Sequence, residues 1–126
     1  MRQQFLYVNG QDIGALTLGL LSEAPLLETF TVGPEKFLES LDGFLTKHDL
    51  SVDTLDGALV ITGPGSATAL RGSLAIMNTL AFTSGLALFG HEKPKEQSDL
   101  VFIQSLDLSK LPAEQGELEP VYAHEP

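Results

Sequence analysis

The stretch from residue 58 to residue 89 constrains the fold of this chain more than any other. "ALVIT" at 58–62 is apolar throughout, which is typical of a strand covered on both faces. A glycine-rich turn follows, then a helical pattern over 66–83, and then a second short apolar run, "LALF" at 86–89. A strand, a helix and a strand in this order predict two parallel strands joined by a right-handed crossover.

Three short apolar runs before this unit predict an antiparallel meander. They lie at 5–8, 13–21 and 26–32, and the hairpin-type dipeptide Asn9-Gly10 follows the first. Gly33-Pro34 ends the third run, and apolar residues spaced by three and four positions then predict an amphipathic helix over 35–48. The predicted order is β-β-β-α-β-α-β, an α/β fold with one five-stranded mixed sheet.

The residues after position 90 differ in composition from those before it. The segment 91–99 is a charged linker, "LVFIQSL" at 100–106 could add an edge strand, and the remainder is rich in Pro and Glu. The chain of 126 residues therefore divides into a lobe over 1–90 and a linker with an acidic tail over 91–126.

Charge and composition limit the partners that the chain can have. It carries 17 acidic and 7 basic side chains, a net charge of −10, so we expect no direct binding of nucleic acid. The absence of cysteine excludes disulfides and thiolate chemistry and fits a cytoplasmic protein. No signal-peptide pattern and no run long enough to span a bilayer occur, so we expect no membrane partner.

The glycine-rich turn, "ITGPGSATALR" at 61–71, is the best candidate for a binding site. A turn from a strand into a helix presents backbone N–H groups and the positive end of the helix dipole, an arrangement that binds anions. The turn lacks the lysine of a P-loop and the spacing of a dinucleotide-binding fingerprint, so the pattern alone favours a structural corner. The candidate anion-binding residues are Gly63, Pro64, Gly65, Ser66 and Arg71.

The helix predicted over 66–83 has an apolar arc about 160° wide, whereas covering a sheet needs about 100°. A well-buried core helix is one interpretation of this arc, and a helix with a second side facing a partner protein is the other. Small residues would let a partner helix approach closely, and a two-fold axis would make a homodimer. The candidate interface residues are Phe37, Leu41, Leu45, Ala69, Ser73, Ile76 and Leu80.

The titratable residues form no catalytic or metal-binding pattern. His48, His91 and His124 lack metal-ligand spacing and are predicted to lie on the surface, and no serine has a histidine partner. Asp12 is typical of a hairpin turn. We therefore expect no enzyme activity, no metal and no cofactor.

The glycine-rich turn in its setting resembles the hallmark of the TsaB family, also called YeaZ. This family belongs to the glycoprotease-like (peptidase M22-like) branch of the actin-like ATPase superfamily, and its motif G-P-G-S-F-T-G-[LV]-R links a strand to a helix. Ala67 and Ala69 stand where the family has Phe and Gly. The resemblance covers about residues 3–90 and implies a single RNase H-like lobe. The matching residues are Gly63, Pro64, Gly65, Ser66, Thr68, Leu70 and Arg71.

The chain also departs from the family pattern. The first strand of the family ends in Asp-Thr-Ser, where this chain has Asn9, Gly10 and Gln11, and an amide is a poor ligand for a cation. Family members have two lobes with the nucleotide between them, and this chain has about half their length. The resemblance therefore implies a structural corner at the turn, no ATP hydrolysis and weak or absent nucleotide binding.

For function, the resemblance implies a non-catalytic partner in the machinery that makes threonylcarbamoyladenosine in tRNA. Members associate through the two helices of the first lobe, either with themselves or with the TsaD subunit. Two alternatives remain open from the sequence. One is a homodimeric remnant with a new structural role, and the other is a small phosphate- or acyl-transferring enzyme that uses the 63–66 loop.

Overall fold

The computed structural model describes residues 4–21, 25–107 and 117–121. Short 3-10 turns precede α1, at Pro34–Lys36, and β4, at Val52–Thr54. Within the described ranges no helix has both the length and the apolar character needed to cross a membrane. The elements in chain order are β1 (Phe5–Asn9), β2 (Leu16–Leu21), β3 (Leu26–Phe30), α1 (Phe37–Lys47), β4 (Gly57–Gly63), α2 (Ala67–Ser84), β5 (Leu88–Glu92) and α3 (Asp99–Ser105).

The five strands form one mixed sheet in the spatial order β3-β2-β1-β4-β5. β1 is antiparallel to β2, with Phe5 opposite Leu21, and β2 is antiparallel to β3. β1 is parallel to β4, with Leu6 opposite Ala58, and β4 is parallel to β5. The predicted meander, the predicted parallel strands and the five-stranded mixed sheet are therefore confirmed.

Helices cover both faces of this sheet. Leu6 and Val8 of β1 point to the face that α1 and α2 cover, and Tyr7 between them points to the other face, where α3 lies. β4 alternates in the same way and is buried along its whole length, as its continuous apolar run predicts. The two faces therefore carry two separate apolar cores.

The ends of α2 follow from residues at its two caps. The hydroxyl of Ser66 accepts a hydrogen bond from the backbone N–H of Ala69 at 3.4 Å, which satisfies one of the free donors of the first turn. Gly85 ends the helix with a φ of 75°, a left-handed conformation that glycine adopts without strain. The sequence-predicted helix over 66–83 is thus confirmed to within one residue at each end.

The segment 100–106 is a helix, so the prediction of an edge strand there is wrong. Ser98 caps α3 by accepting from the backbone N–H of Val101 at 3.2 Å, and Asp99 lies in the first turn, where a negative charge is favourable. Phe102 and Ile103 are buried against the second face of the sheet, and Leu106 packs beside them. Phe102, Ile103 and Leu106 are spaced by three and four positions, which favours a helix. This spacing outweighs the β propensity of the run.

Two leucines of α1 provide a matched test of this packing. Leu41 is 1 % exposed and lies in the core between α1 and the sheet, whereas Leu38 is 55 % exposed. We expect Leu41→Ala to lower the free energy of unfolding by about 2–5 kcal/mol, because it leaves a cavity in a closed core. Leu38→Ala should change it by less than about 0.5 kcal/mol in the same urea titration. Equal effects of the two substitutions would contradict the placement of α1.

Candidate functional site

The carboxyl ends of β1, β4 and β5 lie at one edge of the sheet, because these three strands are parallel. The loops that follow them are 10–15, 64–66 and 93–98, and they include the glycine-rich turn. Ligands of open α/β sheets bind at such an edge, so it is the candidate site of this fold. We call it the carboxyl edge.

The side chain of Gln11 joins the three loops of the carboxyl edge. Its Nε2 donates to the carbonyl oxygen of Pro64 at 2.9 Å and to that of Lys93 at 2.6 Å, and the residue is only 2 % exposed. The backbone carbonyl oxygen of Gln11 accepts from the backbone N–H of Ser66 at 2.9 Å. Two polar groups of the glycine-rich turn, the carbonyl oxygen of Pro64 and the N–H of Ser66, are therefore already bonded to Gln11.

The same turn is covered at Gly63 by the segment 117–121. Gly63 has a φ of 139°, and a Cβ atom at this position would overlap the carbonyl oxygen of Val121. The backbone N–H of Val121 donates to the carbonyl oxygen of Thr62 at 2.7 Å. Glycine is therefore required at position 63 both by its conformation and by the approach of another backbone.

The structure brings the predicted anion-binding residues together at the start of α2. Ser66 uses both its hydroxyl and its N–H in contacts within the chain, and Gly65 packs against the backbone of Gln11. Arg71 lies exposed one turn into the helix. These contacts support the structural corner, and binding of an anion by the turn stays a prediction.

A second polar cluster lies at the end of β1, where the TsaB-like pattern has its acid. Oδ1 of Asp99, in the first turn of α3, accepts from Tyr7 Oη at 2.5 Å and from Asn9 Nδ2 at 2.7 Å. Burial raises the pKa of Tyr7 far above its ordinary value, and the hydrogen bond from Tyr7 to Asp99 and the charge of that carboxylate raise it further. The carboxylate at this place therefore comes from α3.

Sequence reasoning missed Asp99, although a signal for it exists. Ser98 followed by Asp99 and an apolar run is an N-terminal helix signature, which would have placed the carboxylate at the start of a helix. That this helix start meets the end of β1 is a tertiary fact with no signal in the sequence.

Lys93 completes the carboxyl edge with a buried positive charge. The residue is 3 % exposed, and its Nζ donates to the carbonyl oxygens of Pro94 at 2.8 Å and of Gln97 at 2.5 Å. These bonds shape the loop that leads into α3. The buried charge thus orients the backbone just before Asp99.

Five of the seven predicted interface residues lie inside the chain's own core, so their assignment to an exposed surface is wrong. Each is no more than 5 % exposed, because α1 and α2 turn these positions toward the sheet and toward each other. Ser73 also packs against Gly10, where an added Cβ would lie 2.8 Å from the Cβ of Ser73. The five buried residues are Phe37, Leu41, Leu45, Ala69 and Ser73.

The remaining two predicted residues, Ile76 and Leu80, are partly exposed and line a shallow apolar groove. The groove has a volume of about 210 Å³ and runs between the outer sides of α1 and α2. We call it the helix groove, and it is lined by Leu38, Ala75, Ile76, Thr79 and Leu80. The sequence did contain a signal for it, because Ala75 and Phe82 add apolar surface outside the main arc of α2.

The other polar residues considered from the sequence have structural surroundings. His48 and His91 are half-buried, with their rings against Phe44 and Phe102, and His124 lies outside the described residues. Asp12 is exposed and pairs with Lys95 at 3.3 Å. Among the residues that the structure describes, no cluster of three or more His, Asp or Glu side chains could hold a metal ion.

Solved structures share this fold. The chain is similar to YeaZ from Pseudomonas aeruginosa, with a TM-score of 0.64 and 18 % sequence identity over 72 % of this chain and 44 % of that chain. The same figures hold for a crystal structure of an uncharacterised Pseudomonas aeruginosa protein with similarity to the peptidase YeaZ. No protein-family model matches the sequence, and no curated protein matches it.

The comparison confirms the fold that the family resemblance implies. The five-stranded mixed sheet with its helices is an RNase H-like, actin-like lobe, and the chain is structurally similar to YeaZ proteins. It spans less than half the length of the YeaZ structures that it matches.

The raised pKa of Tyr7 predicts an alkaline loss of stability. The folded state keeps the phenol proton, whereas the unfolded chain releases it above the ordinary pKa of 10.0. The contribution of Tyr7 is therefore complete below pH 10 and decreases as the pH rises beyond it, by up to about 1.4 kcal/mol per pH unit. Urea titrations from about pH 9 to about pH 11 should show this slope in the wild-type chain and a smaller one in Tyr7→Phe. Parallel pH profiles would contradict the buried Tyr7–Asp99 contact.

Proposed function

We propose that this chain is a non-catalytic partner protein of the TsaB type, which works by docking its helix groove onto another protein. The partner is a second copy of the chain or a TsaD-like subunit of the machinery that modifies tRNA with threonylcarbamoyladenosine. The observation that carries the proposal is the exposed apolar surface on the outer sides of α1 and α2.

This surface is larger than the groove alone. Phe82 on α2 is 91 % exposed, and at 100° per residue Ala75, Thr79 and Phe82 lie within about 60° of one another around the helix axis. Leu38 of α1 is 55 % exposed on the opposite wall of the groove. Large apolar side chains that form a contiguous patch on an exposed face commonly mark a protein–protein interface.

The small residues of α2 give this surface the shape that a helix of a partner needs. Ala75 and Thr79 line the groove together with the larger side chains of Leu38 and Leu80. A partner helix can approach these small residues closely while its own apolar residues fill the groove. In a symmetric pair the same groove would serve both copies about a two-fold axis.

Charge defines the remaining features of the partner. Glu39 and Asp42 are exposed on α1 near Leu38, and the chain as a whole has a net charge of −10. A TsaD-like subunit with basic residues around an apolar centre would match this surface and would be attracted over a longer range, whereas a second copy would depend on the apolar contact alone. The same charge opposes direct contact with RNA, so in a complex with a TsaD-like subunit that subunit would carry the surface that binds tRNA.

The carboxyl edge supports a role without catalysis. Gln11 bonds the loops to one another, Asp99 is bonded to Tyr7 and Asn9, and Val121 lies over Gly63. A nucleotide would have to displace several of these contacts to reach the glycine-rich turn. The contacts favour a structural use of the edge over phosphate or acyl transfer.

We expect a charge in the helix groove to abolish association while the fold stays intact. Ala75→Asp and Leu38→Glu place a carboxylate at exposed positions of the groove, where partner contact would bury it without a pairing group. Affinity for the partner should fall about tenfold or more, because an unpaired buried charge costs more than 1.4 kcal/mol. Sedimentation equilibrium measures self-association, and co-purification with a TsaD-like protein measures docking.

Gln104→Glu provides the control for this experiment, because it adds the same charge at an exposed position of α3, on the opposite face of the sheet. It should leave association unchanged. A wild-type chain that is monomeric at high concentration and does not retain a TsaD-like protein would contradict the proposal. So would a loss of binding in the control equal to that in Ala75→Asp.

We also expect the chain to bind ATP with magnesium weakly or not at all. The amide of Asn9 stands at the position of the family's acid, and the turn is engaged by Gln11 and Val121. Isothermal titration calorimetry should show no saturable heat, and incubation should release no phosphate. Micromolar affinity for ATP would refute a purely structural carboxyl edge and favour the enzyme alternative.

A further inference from the structure

Residues 117–121, "ELEPV", lie across the end of β4 and the side of α2, and we call them the terminal strap. Its contacts with the lobe resemble those of a bound peptide more than those of a packed element.

One side chain anchors the strap. Leu118 is 3 % exposed and belongs to the core between the helices and the sheet, whereas Glu117 and Glu119 on either side of it are exposed. A single buried apolar side chain between two exposed ones is typical of an extended peptide whose one residue fills a pocket.

The side-chain amide of Asn78 on α2 bonds both backbone groups of Leu118. Its Nδ2 donates to the carbonyl oxygen of Leu118 at 3.0 Å, and its Oδ1 accepts from the N–H of Leu118 at 2.8 Å. A primary amide that satisfies both backbone groups of one residue recognises extended main chain independently of the side chains around it. Asn78 therefore selects a backbone conformation, and the pocket selects the leucine.

A second attachment lies three residues further along. The N–H of Val121 donates to the carbonyl oxygen of Thr62, and the flat surface of Gly63 admits the carbonyl oxygen of Val121. Thr62 is free to accept this bond because the pairing of β4 with β5 is interrupted between Ile61 and Gly63. The interruption leaves a strand carbonyl at the edge for an added peptide.

The strap does not fill the space next to β5. A cleft of about 420 Å³ lies between the strap and the end of β5, and it is lined by Thr62 of β4 and by Gly90, His91 and Glu92 of β5. Two attachment points and an open cleft on one side leave the strap much less buried than the strands. Segments with few buried contacts open without unfolding the rest of a domain.

From these observations we propose that the pocket for Leu118, Asn78 and the Thr62–Gly63 edge form a peptide-binding site whose resident ligand is the terminal strap. The site accepts an extended peptide with a leucine and, three residues later, a backbone N–H and C=O pair. A partner protein that offers such a segment displaces the strap and binds in its place. The site lies apart from the helix groove, so this inference does not depend on the proposed function.

The test uses the full-length chain and a fluorescent peptide with the sequence of the strap, ELEPV. In the chain variant Leu118→Asp the resident ligand can no longer fill the pocket, so fluorescence anisotropy should show binding about tenfold or more tighter than in the wild-type chain, where the strap competes. The double variant Leu118→Asp with Asn78→Ala should lose this gain, because the main-chain contacts are gone. A matched peptide with Asp in place of Leu, EDEPV, should not bind.

Two results would overturn the proposal. One is a folded Leu118→Asp chain that binds ELEPV no better than the wild-type chain does, and the other is equal binding of ELEPV and EDEPV. If Leu118→Asp does not fold, hydrogen exchange of the wild-type chain decides. The amides of Leu118 and Val121 should exchange about a hundredfold faster than that of Val60 in β4. Equal exchange rates would mean that the strap leaves only when the lobe unfolds.

Discussion

The side chain of Gln11 is the interaction on which the arrangement of the carboxyl edge depends. It follows the central strand β1, and its amide nitrogen satisfies a carbonyl oxygen from the loop after β4 and another from the loop after β5. A neutral amide can do this in a buried place without the desolvation cost of an ion. Because both acceptors are backbone atoms, the bonds fix the course of the chain and not merely the position of side chains.

This constraint explains how a turn with the pattern of a phosphate loop can form a corner of the chain. The N–H of Ser66, at the start of α2, points to the carbonyl oxygen of Gln11, and the Gly65 backbone packs against the same residue. The features that could attract an anion, glycines and a helix start, are also what a close crossing of two backbones requires. In this chain the glycine and the helix start serve the close approach of the turn to the backbone of Gln11. The pattern alone could not distinguish the two uses, because the partner, Gln11, is more than fifty positions away in the sequence.

The sequence was sufficient for the sheet and the two long helices because their signals are local. The continuous apolar run of β4, the capping serine of α2 and the spacing of apolar residues in α1 each depend on neighbours within a few positions. The wrong prediction of a strand at 100–106 has the same origin, because the β propensity of this run is also a local signal, and the helix start at Ser98 and Asp99 lies just before it. Which side of α2 packs on the sheet depends on tertiary contacts, so the apolar residues outside its main arc were only an indication of the outward surface. Most of the main apolar arc of α2 is core, Ile76 and Leu80 within it are partly exposed, and Ala75 and Phe82 beside it are exposed.

α3 and Leu118 belong to the lobe in a physical sense, although they lie in the part of the chain whose composition differs from it. Tyr7, Leu59 and Ile61 point out of the second face of the sheet. Phe102 and Ile103 of α3 cover them, and without α3 they would lie open to water. Leu118 adds to the first core in the same way. β1 and β4 have apolar residues on both faces, so a fold that covers only one face would leave a large apolar surface exposed.

α3 and the terminal strap are attached to the lobe in different ways. This difference decides which of the two can be replaced by another segment. α3 buries two large side chains and places Asp99 at the buried hydroxyl of Tyr7, so its release would expose the second core to water and break the Tyr7–Asp99 hydrogen bond. The terminal strap buries one side chain and is otherwise attached through its main chain. Any extended segment can supply main-chain bonds, whereas the bond to Tyr7 requires the side-chain carboxylate of Asp99. α3 is for this reason a permanent part of the lobe, and the strap is a ligand that another segment can replace.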